Sequence, residues 1–118
     1  MNTQEQKIII PCSKSFDFIY IRDIVRCEGM QNYTKVFLEN GETIISSCNV
    51  GNYGKGLQEY GFFTCHKSHV INTDKITRYH KEGLIEMMDS SVVPVSRRRR
   101  EKFIEECVRG MDIVREVP

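Results

Sequence analysis

No apolar run in this chain approaches the ~20 residues that a membrane-spanning helix needs. The first seven residues, Met-Asn-Thr-Gln-Glu-Gln-Lys, are polar and lack an apolar signal region, so nothing in them points to secretion. There is no Cys-x-x-Cys pair among Cys12, Cys27, Cys48, Cys65 and Cys107. An odd number of cysteines at irregular spacing is no disulfide framework. Reduced thiols packed as small hydrophobes are expected, in a cytoplasmic protein. Net charge is nearly absent, because 17 Lys/Arg stand against 16 Asp/Glu. No internal repeat or low-complexity segment is visible. With 118 residues the chain is one domain, too short for a modular enzyme or a solenoid. Its 40% hydrophobic and 28% charged residues suit a folded core and not a disordered tail.

What charge there is has been sorted along the chain. Residues 1–64 hold six basic and seven acidic side chains, and residues 65–118 hold eleven and nine. The second half carries two basic clusters. One runs from Cys65 to Lys81, with four Lys/Arg, one Asp and three His. The other is Arg97-Arg98-Arg99-Arg100 with Lys102. A single basic run is usually a solvated face. Two runs together with a polar loop suggest an anion-binding surface.

Short strands dominate the pattern. Candidates are Lys7 to Cys12, Phe16 to Tyr20, Ile24 to Glu28, Tyr33 to Glu39 and Glu42 to Cys48. Asn40-Gly41 between the last two is a strong hairpin signal. Further strands are expected at Phe62 to Cys65, His69 to Asn72, Lys75 to Tyr79, Leu84 to Met88 and Val92 to Val95. Between the two sets, Asn49 to Gly61 contains four glycines. A short helix near Val50 to Tyr60, capped by Asn49, competes there with a loop, since each interior glycine costs about 1 kcal/mol. The GNYGKG run fits neither phosphate-loop spacing. At the end, Phe103, Ile104, Cys107, Val108 and Met111 fall on one face of a helix, with Ser96 as its N-cap and Gly110 and Pro118 closing it. The expectation is a mostly-β domain of about ten short strands, with a short middle helix and a C-terminal helix.

No convergent catalytic pattern emerges, and no enzyme is expected. His66, His69 and His80 could act as bases, Asp74 could orient one, and Ser68 or Cys65 could be a nucleophile. Adjacent strand residues point to opposite faces, however, so this run is no triad. Cys65, His66 and His69 with His80 are too few and too clustered for a metal centre, and no cofactor is expected. His66 beside Cys65 could lower the thiol's pKa and make it redox-sensitive, unless burial defeats it.

Binding fits the residues better. Gly29 to Lys35 is polar, joins two strands and carries amides that can pair with an adenine edge. His66-Lys67-Ser68-His69 interrupts an apolar stretch with four donors. Arg97 to Arg100 opens the last helix, and arginine suits guanine edges and phosphates. Four cations at a helix N-terminus are unfavourable unless an anion sits there. Against this, Asn32 could be a turn residue, His66 a half-buried histidine, and the arginines a solvated helix start.

Three blocks, DIVRCEGMQNYTKVFLENGE (Asp23 to Glu42), FFTCHKSHVINTDKI (Phe62 to Ile76) and VPVSRRRREKF (Val93 to Phe103), resemble the LytTR-type DNA-binding domain of bacterial transcription regulators. The resemblance covers about Lys7 to Cys107. It implies an elongated arrangement of small antiparallel sheets whose loops enter successive major grooves of double-stranded DNA, often at paired direct repeats, with two monomers per site. Carried over by position, it implies base contacts from Asn32, Lys67 and Arg97. Backbone contacts would come from Tyr33, Lys35, His66, Ser68, Arg98 and Arg100. Asn72 matches a recurrent Asn, here read as structural.

The chain departs from the family at His69, where an aromatic or apolar residue is commoner, and at Arg99, where a tyrosine is common. Members often carry a receiver domain; nothing here resembles one, so no phosphorylation site is expected. The expected domain is 7–109, with a disordered tail over 1–6 and a C-terminal tail over 110–118. The leading expectation is sequence-specific DNA binding. The alternative is a protein-interaction module that keeps the fold without binding DNA. RNA binding would want stacking aromatics beside the cations, and only Tyr33 and Tyr79 qualify.

Overall fold

The computed structural model describes residues 5–110 and residue 114. Met111, Pro118 and most of both expected tails lie outside the described residues. Within them the chain forms ten strands and two helices. The strands are β1 (Lys7–Pro11), β2 (Phe16–Tyr20), β3 (Ile24–Gly29), β4 (Thr34–Leu38), β5 (Thr43–Ser46), β6 (Phe62–His66), β7 (His69–Asn72), β8 (Ile76–His80), β9 (Leu84–Met87) and β10 (Val92–Pro94). The helices are α1 (Val50–Leu57) and α2 (Arg97–Phe103), and α2 runs on into a π-helical turn, Ile104–Val108.

Three antiparallel sheets result: β1-β2, the five-stranded β5-β4-β3-β7-β6, and β10-β9-β8. The five-stranded sheet is the middle layer, because its strands are apolar on both faces. On β6, Phe62 faces one core while Phe63 and Cys65 face the other. On β7, Val70 and Ile71 divide the same way. Period-two alternation sends successive side chains to opposite faces, so a continuous apolar run means both faces are covered. The first core is closed by Ile10 of β1 and by Tyr53 and Leu57 of α1. The second is closed by Ile85, Met87 and Val93 of the three-stranded sheet and by Phe103 of α2. The molecule is elongated, 59 × 32 × 24 Å.

The middle helix is real despite its glycines. Asn49 caps it, with Oδ1 accepting from the Asn52 N–H at 3.2 Å. Two glycines let it lie close to the sheet. A Cβ on Gly54 would stand 2.7 Å from Thr64 Oγ1, and one on Gly29 would stand 2.6 Å from Val50 Cγ1. Burial of Tyr53 and Leu57 outweighs the low helix propensity.

The last helix differs in detail from the expectation. Ser96 occupies the N-cap position with extended backbone, but its hydroxyl makes no cap bond and is buried without a partner among the described residues. Its N–H donates instead to the Cys65 carbonyl at 2.9 Å, which fastens the start of α2 to β6. Phe103 is buried, and Ile104, Cys107 and Val108 pack against the second core, as the helical spacing implied.

Candidate nucleic-acid interface

The polar segments noted in the sequence gather at one end of the five-stranded sheet. β3 and β4 meet in a tight turn, closed by the Met30 N–H on the Tyr33 carbonyl at 2.8 Å. That leaves Gln31 and Asn32 exposed at the tip, with Tyr33 and Lys35 half-buried behind them. β6 and β7 meet in a two-residue turn, Lys67-Ser68, after a bulge between Thr64 and His66. A bulge twists a strand and re-aims the side chains beside it. The Gly29 N–H donates to the Ser68 carbonyl at 2.7 Å, so the two tips are joined. The Ser68 N–H donates to His66 Nδ1 at 3.1 Å, which fixes the ring against its own turn.

The start of α2 completes the surface. His66, Lys67, Ser96, Arg97, Arg98 and Arg99 line a shallow groove of about 390 Å³. Lys67, Arg97 and Arg98 are exposed. No acidic side chain lines the groove. Elsewhere in the second half, four cations face carboxylates: Lys75 lies 3.4 Å from Glu39, Arg78 3.7 Å and His80 2.7 Å from Glu86, and Lys102 3.9 Å from Glu106. Among the described residues, the groove cations have no such partner. Unpaired like charges held together repel, and an incoming polyanion relieves that repulsion.

Not every anticipated residue joins this groove. Arg100 turns away from it. Its guanidinium packs on Gly83, and Nε donates to the Val95 carbonyl at 3.2 Å. Arg99, set aside in the sequence reading as a departure, lines the groove with its neighbours. Thr34, two residues after Asn32 in sequence, is buried and donates to the Cys48 carbonyl at 2.7 Å. Asn72 is structural: its amide donates to the Ile24 carbonyl at 2.9 Å and accepts from the Asp74 N–H at 3.1 Å.

Behind the tips lies a polar network that sequence reasoning missed. Arg26 on β3 stacks over the Phe37 ring at 3.9 Å. Its Nη1 lies 2.9 Å from Glu28, and its Nε donates to Ser91 Oγ at 3.1 Å. Glu28 stands opposite His69 across β3 and β7. The bond from Arg26 holds the Glu28 carboxyl below its usual range. Burial pulls the His69 imidazole down, against the opposing pull of Glu28. Both groups therefore bind fewer protons folded than unfolded at the same pH, so both cost stability on acidification. Loss is expected to begin as pH falls below the ordinary imidazole value of about 6.5 and to continue through the carboxylate range. Melting temperature against pH should show this, and His69→Phe should flatten the fall between pH 7.5 and 5.5. An unchanged fall in the variant would remove His69 from the account.

Two other readings find no support here. Among the described residues, no group of three or more His, Cys, Asp or Glu side chains is placed to hold a metal ion. Cys65 is fully buried, and burial pushes its thiol up to about 12, the opposite of an activated thiolate. No described helix is long and apolar enough to cross a membrane.

Fold and surface together define a β-sheet domain with exposed loops and a cationic helix start at one end of its middle sheet. The sequence matches the LytTr DNA-binding domain family over residues 14–107, and the chain belongs to that family. It is a family of DNA-binding domains, not of enzymes. The fold is also similar to a solved structure from Bacillus cereus, the LytTr DNA-binding domain of a protein described as a methyl-accepting/DNA response regulator. The TM-score is 0.73 at 18% identity, over 86% of this chain and 95% of that one. No curated protein is similar enough in sequence to match.

Proposed function

We propose that this domain, spanning 7–109, reads double-stranded DNA sequence-specifically through loops set in the major groove, as a cytoplasmic bacterial transcription regulator. Asn32, Lys67 and Arg97 contact base edges. Tyr33, Lys35, His66, Ser68 and Arg98 contact the sugar-phosphate backbone. Arg100 contacts the backbone outside the groove, on the Gly83 side, with its Nε held by the Val95 carbonyl. Two monomers occupy a pair of direct repeats. One observation carries the reading. Residues about thirty positions apart, Lys67 and Arg97 to Arg99, converge on a groove with no carboxylate in its lining. Phosphate contacts would supply affinity there, and base-edge contacts specificity.

The test is selection of bound duplexes from a random pool at two salt concentrations. An enriched motif is expected, with affinity falling steeply as salt rises. Binding without enrichment would reduce the domain to a non-specific cation, and no binding at low salt would end the reading. The alternative, an interaction module without DNA binding, draws on a different surface. Ile9, Phe16 and Phe18 share the outer face of β1-β2 and are 53%, 70% and 63% exposed. That face shares no residue with the groove, and the same selection decides between the two.

A further inference from the structure

A second cleft continues from the first across Arg99. It is about 320 Å³ and follows the outer edge of β6, the last strand of the five-stranded sheet. One wall is α1, which contributes Lys55; the other is α2, which contributes Arg99 and Lys102. Gly51 puts no side chain in the way, and Thr64, packed against Gly54, lies on the floor. The sole carboxylate is Glu106, which lies 3.9 Å from Lys102 Nζ. Three cations from two helices thus face one acid. Lys55 is exposed and, among the described residues, has no ion-pair partner.

We propose that this cleft is a phosphodiester track that carries the DNA backbone past the loop surface, with Lys55 and Lys102 holding phosphates outside the base pairs read by Asn32, Lys67 and Arg97. The inference rests on the DNA-binding reading above. Continuity through Arg99 supports it, since that residue lines both clefts. Gly51 on that wall supports it too, because a phosphate needs close approach to the surface. Middle helix and C-terminal helix then do more than close the cores: they extend the footprint by one end.

Salt dependence tests it directly. Lys55→Ala is an exposed helix substitution, and melting should show that the fold is kept. On a duplex extending beyond the selected motif at both ends, the slope of log affinity against log salt is expected to fall by about 0.9, and affinity at 0.1 M salt by about fivefold. Lys55→Arg should restore both. On a duplex trimmed to the motif, Lys55→Ala should match the parent protein, since the outer phosphates are gone. Lys14→Ala, in the exposed turn between β1 and β2, removes the same charge elsewhere and should leave the slope unchanged. An unaltered slope for Lys55→Ala on the long duplex, with the parent still binding tightly, would overturn the track while leaving the loop reading intact. An equal loss from Lys55→Ala and Lys14→Ala would also overturn it, by reducing the effect to net charge. Failure of the parent protein to bind any duplex would instead strike at the DNA-binding reading itself.

Discussion

Phe103→Ala is expected to cost about 3–5 kcal/mol of stability, the range for emptying a buried phenylalanine site. The ring is fully buried at the junction of three elements. It meets Phe63 of β6 edge-on, with centroids 5.6 Å apart, and Tyr79 of β8 at 4.7 Å. One side chain therefore fastens α2 to the middle sheet and to the three-stranded sheet at once. A domain of this size is stable by only about 5–15 kcal/mol, so the loss is a large share. The melting temperature should drop by roughly 10–20 °C. Phe16→Ala is the matched control. Its ring is 70% exposed, and the change should stay within about 0.5 kcal/mol. Equal effects from the two would mean that the second core is not closed as described. The functional consequence follows from the same geometry: without its anchor, α2 no longer holds Arg97 to Arg99 against the Lys67 turn.

Why so much of this fold was legible in the sequence is plain at β6 and β7. Runs such as Phe62-Phe63 and Val70-Ile71 cannot belong to a sheet with one wet face, and the structure buries them in two cores. The hairpin signal was legible for a local reason: Asn40-Gly41 joins adjacent antiparallel strands, as Glu82-Gly83 and Asp89-Ser90-Ser91 also do. Alternation at β2 shows the limit. It divides Phe16, Phe18 and Tyr20 from Asp17 and Ile19 but does not say which set is inside. The aromatic set faces outward, and Ile19 packs on the first core.

Long-range geometry was the part the sequence hid. Helix propensity counted the glycines against α1, because the close approach to Thr64 and Val50 is a tertiary fact. Ser96 had the residue type and position of a cap, but its N–H is drawn to the Cys65 carbonyl and its hydroxyl is buried. Arg26 read as one more strand residue, and only folding brings Glu28, Phe37 and Ser91 around it. In the Arg97 to Arg100 run, composition treats four side chains alike. The helix sends Arg99 into the groove and Arg100 back over Gly83. A tetrad at helical spacing spans a full turn, so one of its members had to face away.

That division within the tetrad sets up the second large effect. Arg97→Ala is expected to weaken binding to the selected motif by about 1–3 kcal/mol and to relax preference at one base pair. Arg98→Ala, one residue along and also exposed, should weaken motif and random duplexes alike, with the salt slope lower by about 0.9. The contrast matters more than either value. Both substitutions remove one guanidinium from the same groove, so the general electrostatic loss is common to them. Only a residue in bidentate contact with a base edge should lose more on the motif than on random DNA, because only there is a sequence-dependent hydrogen-bond pair broken. The joined tips make this contrast sharp: with Ser68 tied to Gly29 and Ser96 to Cys65, the groove is held before DNA arrives, and little ordering cost blurs the comparison. Titration of each variant against the motif and against a scrambled duplex at matched salt gives the answer. Equal losses for Arg97→Ala on both duplexes would make Arg97 a phosphate contact and move specificity to Asn32 and Lys67.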